Sequence, residues 1–192
     1  MSLDVLRLPK ASERLAPVDA RLAPFFCLLL LTAACALASL VFACATPLAA
    51  FAVIASAMLT LPSALAVIAV AWTVNQAIGF GALGYPHDAN TMLWGLAIAA
   101  AALVATAAAR LVIRALPRVS TPALLGLALV AAYAAYEIVL FAVTPFLGGE
   151  GAFTLGIVSY IGILNLLWLA GLVAVCALVR LLGASRGRQA IS

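Results

Sequence analysis

Residues 47–80, PLAAFAVIASAMLTLPSALAVIAVAWTVNQAIGF, decide the fold. The run is too long for one membrane helix and barely long enough for two, because a crossing takes about 20 residues. Leu61-Pro62-Ser63 interrupts it. Proline has no N–H to donate and disfavours helix in the residue before it. Two short helices, 47–60 and 63–80, joined by a tight turn, are therefore expected.

Charge placement supports that division. The ten basic residues fall in three groups: Arg7, Lys10, Arg14 and Arg21; Arg110, Arg114 and Arg118; Arg180, Arg186 and Arg188. Positively charged loops stay on the cytoplasmic side, so an even number of crossings must separate each group from the next. Splitting 47–80 gives four and then two; a single helix there gives three and breaks the parity. The expected fold is an all-α integral membrane protein, a six-transmembrane-helix bundle with both termini cytoplasmic. Its spans are 24–44, 47–60, 63–80, 92–115, 120–144 and 154–181, within one domain, multi-pass in the inner or plasma membrane.

Composition points the same way. Of 192 residues, 68% are hydrophobic and 8% charged, with mean hydropathy +1.28, against about 25% charged for a soluble domain. The net charge of +4 carries no basic cluster with interleaved aromatics, so nucleic acid is not an expected partner. Cys27, Cys35, Cys44 and Cys176 form no C-x-x-C pair and read as apolar fillers, with Cys44 alone kept as a candidate ligand. Residues 1–21 carry both signs of charge and suit either an interfacial segment or a plain tail. No apolar core precedes the first span, and Thr32 stands where a lipobox would place Leu or Val, so no cleavage is expected.

Polar side chains inside a bilayer need a partner or a purpose. Glu137 is the only acid well inside a span, about 12 Å below the outer end of its helix by the 1.5 Å rise. Asn75 and Gln76 lie about 6–8 Å down theirs, Tyr160 and Asn165 about 9 and 16 Å down the last. Tyr133 and Tyr136 accompany Glu137. Between the third and fourth spans lie Phe80, Tyr85, Pro86, the only histidine (His87), Asp88 and Thr91. These groups converge on an outward-facing pocket roofed by residues 81–91, with Trp72 as a wall. The same groups also suit plain interhelical hydrogen bonding. Trp94 reads as part of an interfacial aromatic belt, and His87 as a surface imidazole or a metal ligand or base.

Several chemistries are excluded or disfavoured. There is no G-x-x-x-x-G-K-[ST], and Lys10 is the only lysine, so the chain has no phosphate cradle for ATP. H-E-x-x-H and G-x-S-x-G are absent as well, so no enzymatic activity is expected.

Six short helices, a polar outer pocket and no ATPase parts together resemble the S component of an energy-coupling-factor (ECF) vitamin transporter. The pattern Asn75-Gln76…Gly79-Phe80…Gly84-Tyr85-Pro86…Thr91…Trp94-Gly95 is most similar to the cobalamin-specific BtuM type. The layout covers the whole chain, and the motif about 25 residues. The resemblance implies capture of cobalamin (vitamin B12) as transported ligand, with no intrinsic cofactor. It also implies partnership with a coupling subunit and ATPases, docked through the small residues Ala34 and Ala38. BtuM-type proteins ligate cobalt with a cysteine near the third and fourth helices. Here Phe80 or Gly81 occupies that neighbourhood, and His87 is the only nearby substitute. Two other readings stay open: a small proton-coupled secondary transporter using Glu137, and a structural or assembly subunit.

Overall fold

The computed structural model describes residues 11, 15–43 and 45–189, with side chains through residue 183. Among the described residues six helices have defined bounds and there is no strand: α1 (Ala23–Phe42), α2 (Leu48–Met58), α3 (Leu61–Gly81), α4 (Ala89–Ala115), α5 (Thr121–Leu147) and α6 (Leu155–Gln189). A 3-10 turn, Glu150–Phe153, precedes α6. Five of these helices are long and apolar enough to cross a bilayer, which makes this a membrane protein.

α2, expected as a span of its own, is the exception, because it is shorter than a crossing helix needs. Its eleven residues rise only about 16 Å, roughly half the hydrocarbon thickness. It is nonetheless the centre of the bundle, with none of its residues more than 1% exposed. Proline sets the helix starts: Pro24, Pro62 and Pro122 each stand in a first turn, where the missing N–H costs nothing, and Pro47 is the N-cap of α2. The break read at 61–63 is thus real, but Leu61 and Pro62 belong to α3. Pro145 does not end α5, which runs on to Leu147. The Phe141 carbonyl, deprived of its usual N–H by Pro145, accepts the Thr144 hydroxyl at 2.8 Å instead.

Side-chain bonds fix how the helices align. Cys35 Sγ lies 3.1 Å from the Ala71 carbonyl and Ser39 accepts from Asn75, so α1 and α3 run parallel. Ser56 donates to the Thr106 carbonyl, while Arg110 reaches Ser56 and Leu59, so α2 and α4 run parallel the other way. Small residues set the spacing. Ala101, Ala105 and Ala109 on α4 and Ala128 and Ala132 on α5 are all fully buried at four-residue intervals. Such stripes let membrane helices approach closely where lipid removes the hydrophobic drive to associate.

Residues 16–22 lie beside Gly183, so the start of α1 and the end of α6 share one face of the bundle. Arg21, Arg114, Arg118 and Arg180 collect toward that basic face. The opposite, acidic face carries His87, Asp88 and Glu150 and, among the described residues, no Lys or Arg. Arg7, Lys10, Arg14 and Cys44 lie outside the described residues. Ala11 and Leu15, ahead of α1, are helical and buried against the core.

A short helix wholly inside a membrane leaves unpaired N–H and C=O groups at both ends. Two buried side chains fill them. Asn165 of α6, 2% exposed, accepts the Ala50 N–H at 2.9 Å through Oδ1 and anchors its own amide on the Ile161 carbonyl at 3.0 Å. Arg110 of α4, also 2% exposed, donates from Nη1 to the Ser56 and Leu59 carbonyls at 2.9 and 2.7 Å. Its positive charge at the negative end of the α2 dipole adds a favourable electrostatic contribution.

Candidate ligand-binding site

α2 starts low. Thr46, just ahead of it, is level with Ser39 and Asn75, and Asn75 stands six residues before the end of α3, about 9 Å beneath the acidic face. The volume α2 leaves above its N-terminus is the hollow expected from the polar groups. It comprises two chambers sharing Thr46, Trp94, Ile98 and Tyr136 as a common wall.

The first chamber, about 230 Å³, lies between α3 and α4 and is closed by the 82–88 loop. Asn75, Gln76, Phe80, Tyr85, Pro86 and Thr91, all expected in the site, line it. The Tyr85 N–H donates to the Gly79 carbonyl at 3.0 Å, folding the loop back over α3. The Tyr85 ring stands edge-on to Phe80 at 6.2 Å between centroids. Gly84, at φ +67°, supplies the left-handed turn that makes this possible. A methyl group at Gly79 would sit 2.6 Å from the Tyr85 ring. Gly79→Ala is therefore expected to push Tyr85 outward and lift the roof. Ligand affinity should fall about tenfold while the melting temperature shifts by only a few degrees, within the size of a typical point-mutant effect. Unchanged affinity would show that the roof takes no part in binding.

The second chamber, about 390 Å³, opens between α4, α5 and α6. Glu137 lines it, together with Tyr136, Trp94 and Phe153. Trp94, read from sequence as a belt residue, is half-buried and walls both chambers. Gly149 (φ +91°) lets the chain cross over it, and a Cβ there would meet the indole at 3.2 Å. Phe141 stacks edge-on against Phe153 at 5.3 Å and props the 3-10 turn at the chamber mouth.

Counting donors and acceptors separates binding groups from structural ones. Asn75 Nδ2 donates to Ser39 at 2.9 Å and to Thr46 at 3.0 Å, and Asn75 Oδ1 accepts from Gln76 Nε2 at 2.8 Å. The Thr46 hydroxyl in turn donates to the Ala43 carbonyl at 3.1 Å. Asn75 and Thr46 have thus spent their protons on the fold. Gln76 has an oxygen, set against Gly95, and a second N–H that these bonds do not use.

Six expected site residues lie outside both chambers. The Trp72 indole N–H donates to the Gly95 carbonyl at 2.9 Å and pins α3 to α4. The Tyr133 hydroxyl donates to the Val158 carbonyl at 2.6 Å and ties α5 to α6. Tyr160 is 57% exposed on the outer surface of α6, and Asn165 caps α2. Asp88 is fully exposed as the N-cap of α4; the Thr91 N–H, at 2.8 Å from Oδ1, holds its carboxyl below the usual range. The His87 imidazole packs on Phe80 at 5.2 Å. Among the described residues no three His, Cys, Asp or Glu side chains gather in one place.

The proposed docking residues are also placed. Ala38 is fully buried and Ala34 is 8% exposed. Together with Leu31 and Cys35 they form the inward face of α1. Ala34 also borders an apolar groove between α1 and α6.

The chain matches no protein-family model, no curated protein and no solved structure.

Proposed function

We propose that this protein is the substrate-binding membrane subunit of a vitamin uptake system, in which the acidic face looks outward and the paired chambers capture the ligand. The basic face, with both ends of the described chain, then lies in the cytoplasm. The observation that carries the reading is the hollow above α2, which is lined by aromatic rings with a few polar groups and covered by a loop. A mainly apolar cavity of a few hundred Å³ with sparse, placed polar groups suits a small organic molecule. The chain holds no ATP-binding motif, so energy for inward release comes from partner proteins such as an ECF coupling subunit and its ATPases.

Cobalamin is the ligand that the sequence resemblance implies. A corrinoid is larger than either chamber of 230 and 390 Å³, and it would enter only if the 82–88 loop lifted and the Trp94–Tyr136 wall parted. A one- or two-ring vitamin fits without that rearrangement and is the better candidate by size. The other reading, a proton-coupled secondary transporter, draws support from Glu137 lining the second chamber.

Mass spectrometry of solvent extracts from the purified protein tests the proposal. A small organic molecule should appear with the unaltered protein, or bands of a corrin in its visible spectrum. It should be depleted at least tenfold in Gln76→Ala and Tyr85→Ala, with yields of folded protein unchanged. Identical extracts from all three would rule this site out. Proton-gradient-driven uptake by the isolated protein in liposomes, abolished by Glu137→Gln, would favour the transporter reading instead.

A further inference from the structure

The second chamber has a composition of its own. Three aromatic rings, Trp94, Tyr136 and Phe153, line one cavity with a single carboxyl group, Glu137, and the remaining walls are mostly aliphatic. Aromatic faces are negative and attract cations, more strongly when the site is dry. A carboxylate among them adds a full charge of the same sign.

Glu137 is not balanced from within. The Tyr133 hydroxyl stands between the Glu137 carboxyl and the Val158 carbonyl and has one proton for the two. Every described arginine lies toward the other end of the bundle: Arg21, Arg110, Arg114, Arg118 and Arg180. An ionised carboxylate in such surroundings is costly without a counter-charge. The acidic face adds Asp88 and Glu150 at the approach, which raises the local concentration of cations over anions.

We infer that the ligand carries an organic cation, a quaternary or protonated amine, which seats in the α4–α5–α6 chamber against Glu137, Trp94, Tyr136 and Phe153. This rests on the capture reading above and narrows its ligand class. The rest of the molecule extends past the Trp94–Tyr136 wall into the chamber under Tyr85, where Gln76 offers hydrogen bonds to an uncharged polar group.

Calorimetric titration of the full-length protein in lipid nanodiscs tests this. The probes are choline, its uncharged carbon isostere 3,3-dimethylbutan-1-ol, and benzyltrimethylammonium. Both cations should bind at least tenfold more tightly than the isostere. Glu137→Gln should weaken the cations at least tenfold and leave the isostere unchanged, while Glu137→Asp restores part of the loss. Trp94→Leu should weaken benzyltrimethylammonium, with melting curves recorded for every variant to show that it is folded. Equal binding of choline and its isostere, or cation binding indifferent to Glu137→Gln in a folded protein, overturns the inference. A neutral or anionic molecule in the solvent extract would also overturn it while leaving the capture function standing. An empty extract with no binding of any probe would remove both.

Discussion

Replacing Arg110 with methionine is expected to cost about 3 kcal/mol or more of stability. The Ser56 and Leu59 carbonyls would each lose a donor at a buried site, at about 1–3 kcal/mol apiece. For a chain of this size that is a drop in melting temperature of roughly 6–12 °C. Methionine conserves much of the side-chain volume, so the loss reads out the hydrogen bonds and charge rather than a cavity. Arg110→Lys should recover part of it, because a shorter ammonium keeps the charge at the α2 C-terminus but does not reproduce the reach of the guanidinium. A melting temperature within a degree or two of the parent for Arg110→Met would mean that water or a rearranged α2 satisfies those carbonyls. The sunken position of α2 would then no longer be pinned from below.

Asn75→Leu should produce the second large effect, of about 2–3 kcal/mol, from three hydrogen bonds lost at one junction at about 1 kcal/mol each. Asn75 is the point where α1, the loop ahead of α2 and α3 are tied together. Its loss should show as faster hydrogen exchange at residues 45–51 as well as a lower melting temperature. Its neighbour behaves differently: Gln76→Ala removes one link of that chain and the free amide beside the ligand space, so affinity falls and stability barely moves. Asn75→Leu with full stability and reduced affinity would reverse these roles and make Asn75 the ligand contact.

Much of the architecture is legible in the residue pattern. The apolar runs, the break at Pro62 and the three basic groups place the helix ends to within three residues, except that α6 runs eight residues past its expected end, because proline and charge act locally and at known positions. The length of α2 is not legible. Its sequence, LAAFAVIASAM, is as apolar as any spanning helix. What makes it a central, half-length element is the pair of caps from Asn165 and Arg110, more than fifty residues away along the chain. Arg110 reads from sequence as one of a loop group of positive charges, and only the packing of α4 on α2 reveals it as a buried cap.

The site shows the same division. Gln76, Phe80, Tyr85, Pro86 and Thr91 announce themselves because polar and turn-forming residues are rare in this chain. Tyr160 and Asn165 were expected in the pocket on depth alone. Depth follows from the helical rise, but direction around the helix depends on which neighbours pack, so Tyr160 faces away and Asn165 turns to α2. Thr46 and Trp94 were missed as walls for the opposite reason: each has an ordinary local explanation, a loop threonine and a belt tryptophan. The sunken start of α2 gives them a cavity to face.

Site-directed labelling from outside the cell tests the hollow above α2 most directly. In a background with the four native cysteines changed to alanine, Ile98→Cys places a thiol in the wall shared by both chambers. Leu96→Cys and Ile138→Cys place thiols on outward faces that are 57% and 67% exposed, where lipid covers them. A membrane-impermeant trimethylammonium methanethiosulfonate should modify Ile98→Cys within minutes and leave the other two unreacted. An unreactive Ile98→Cys, in folded protein, would contradict a water-filled pocket open to the outside.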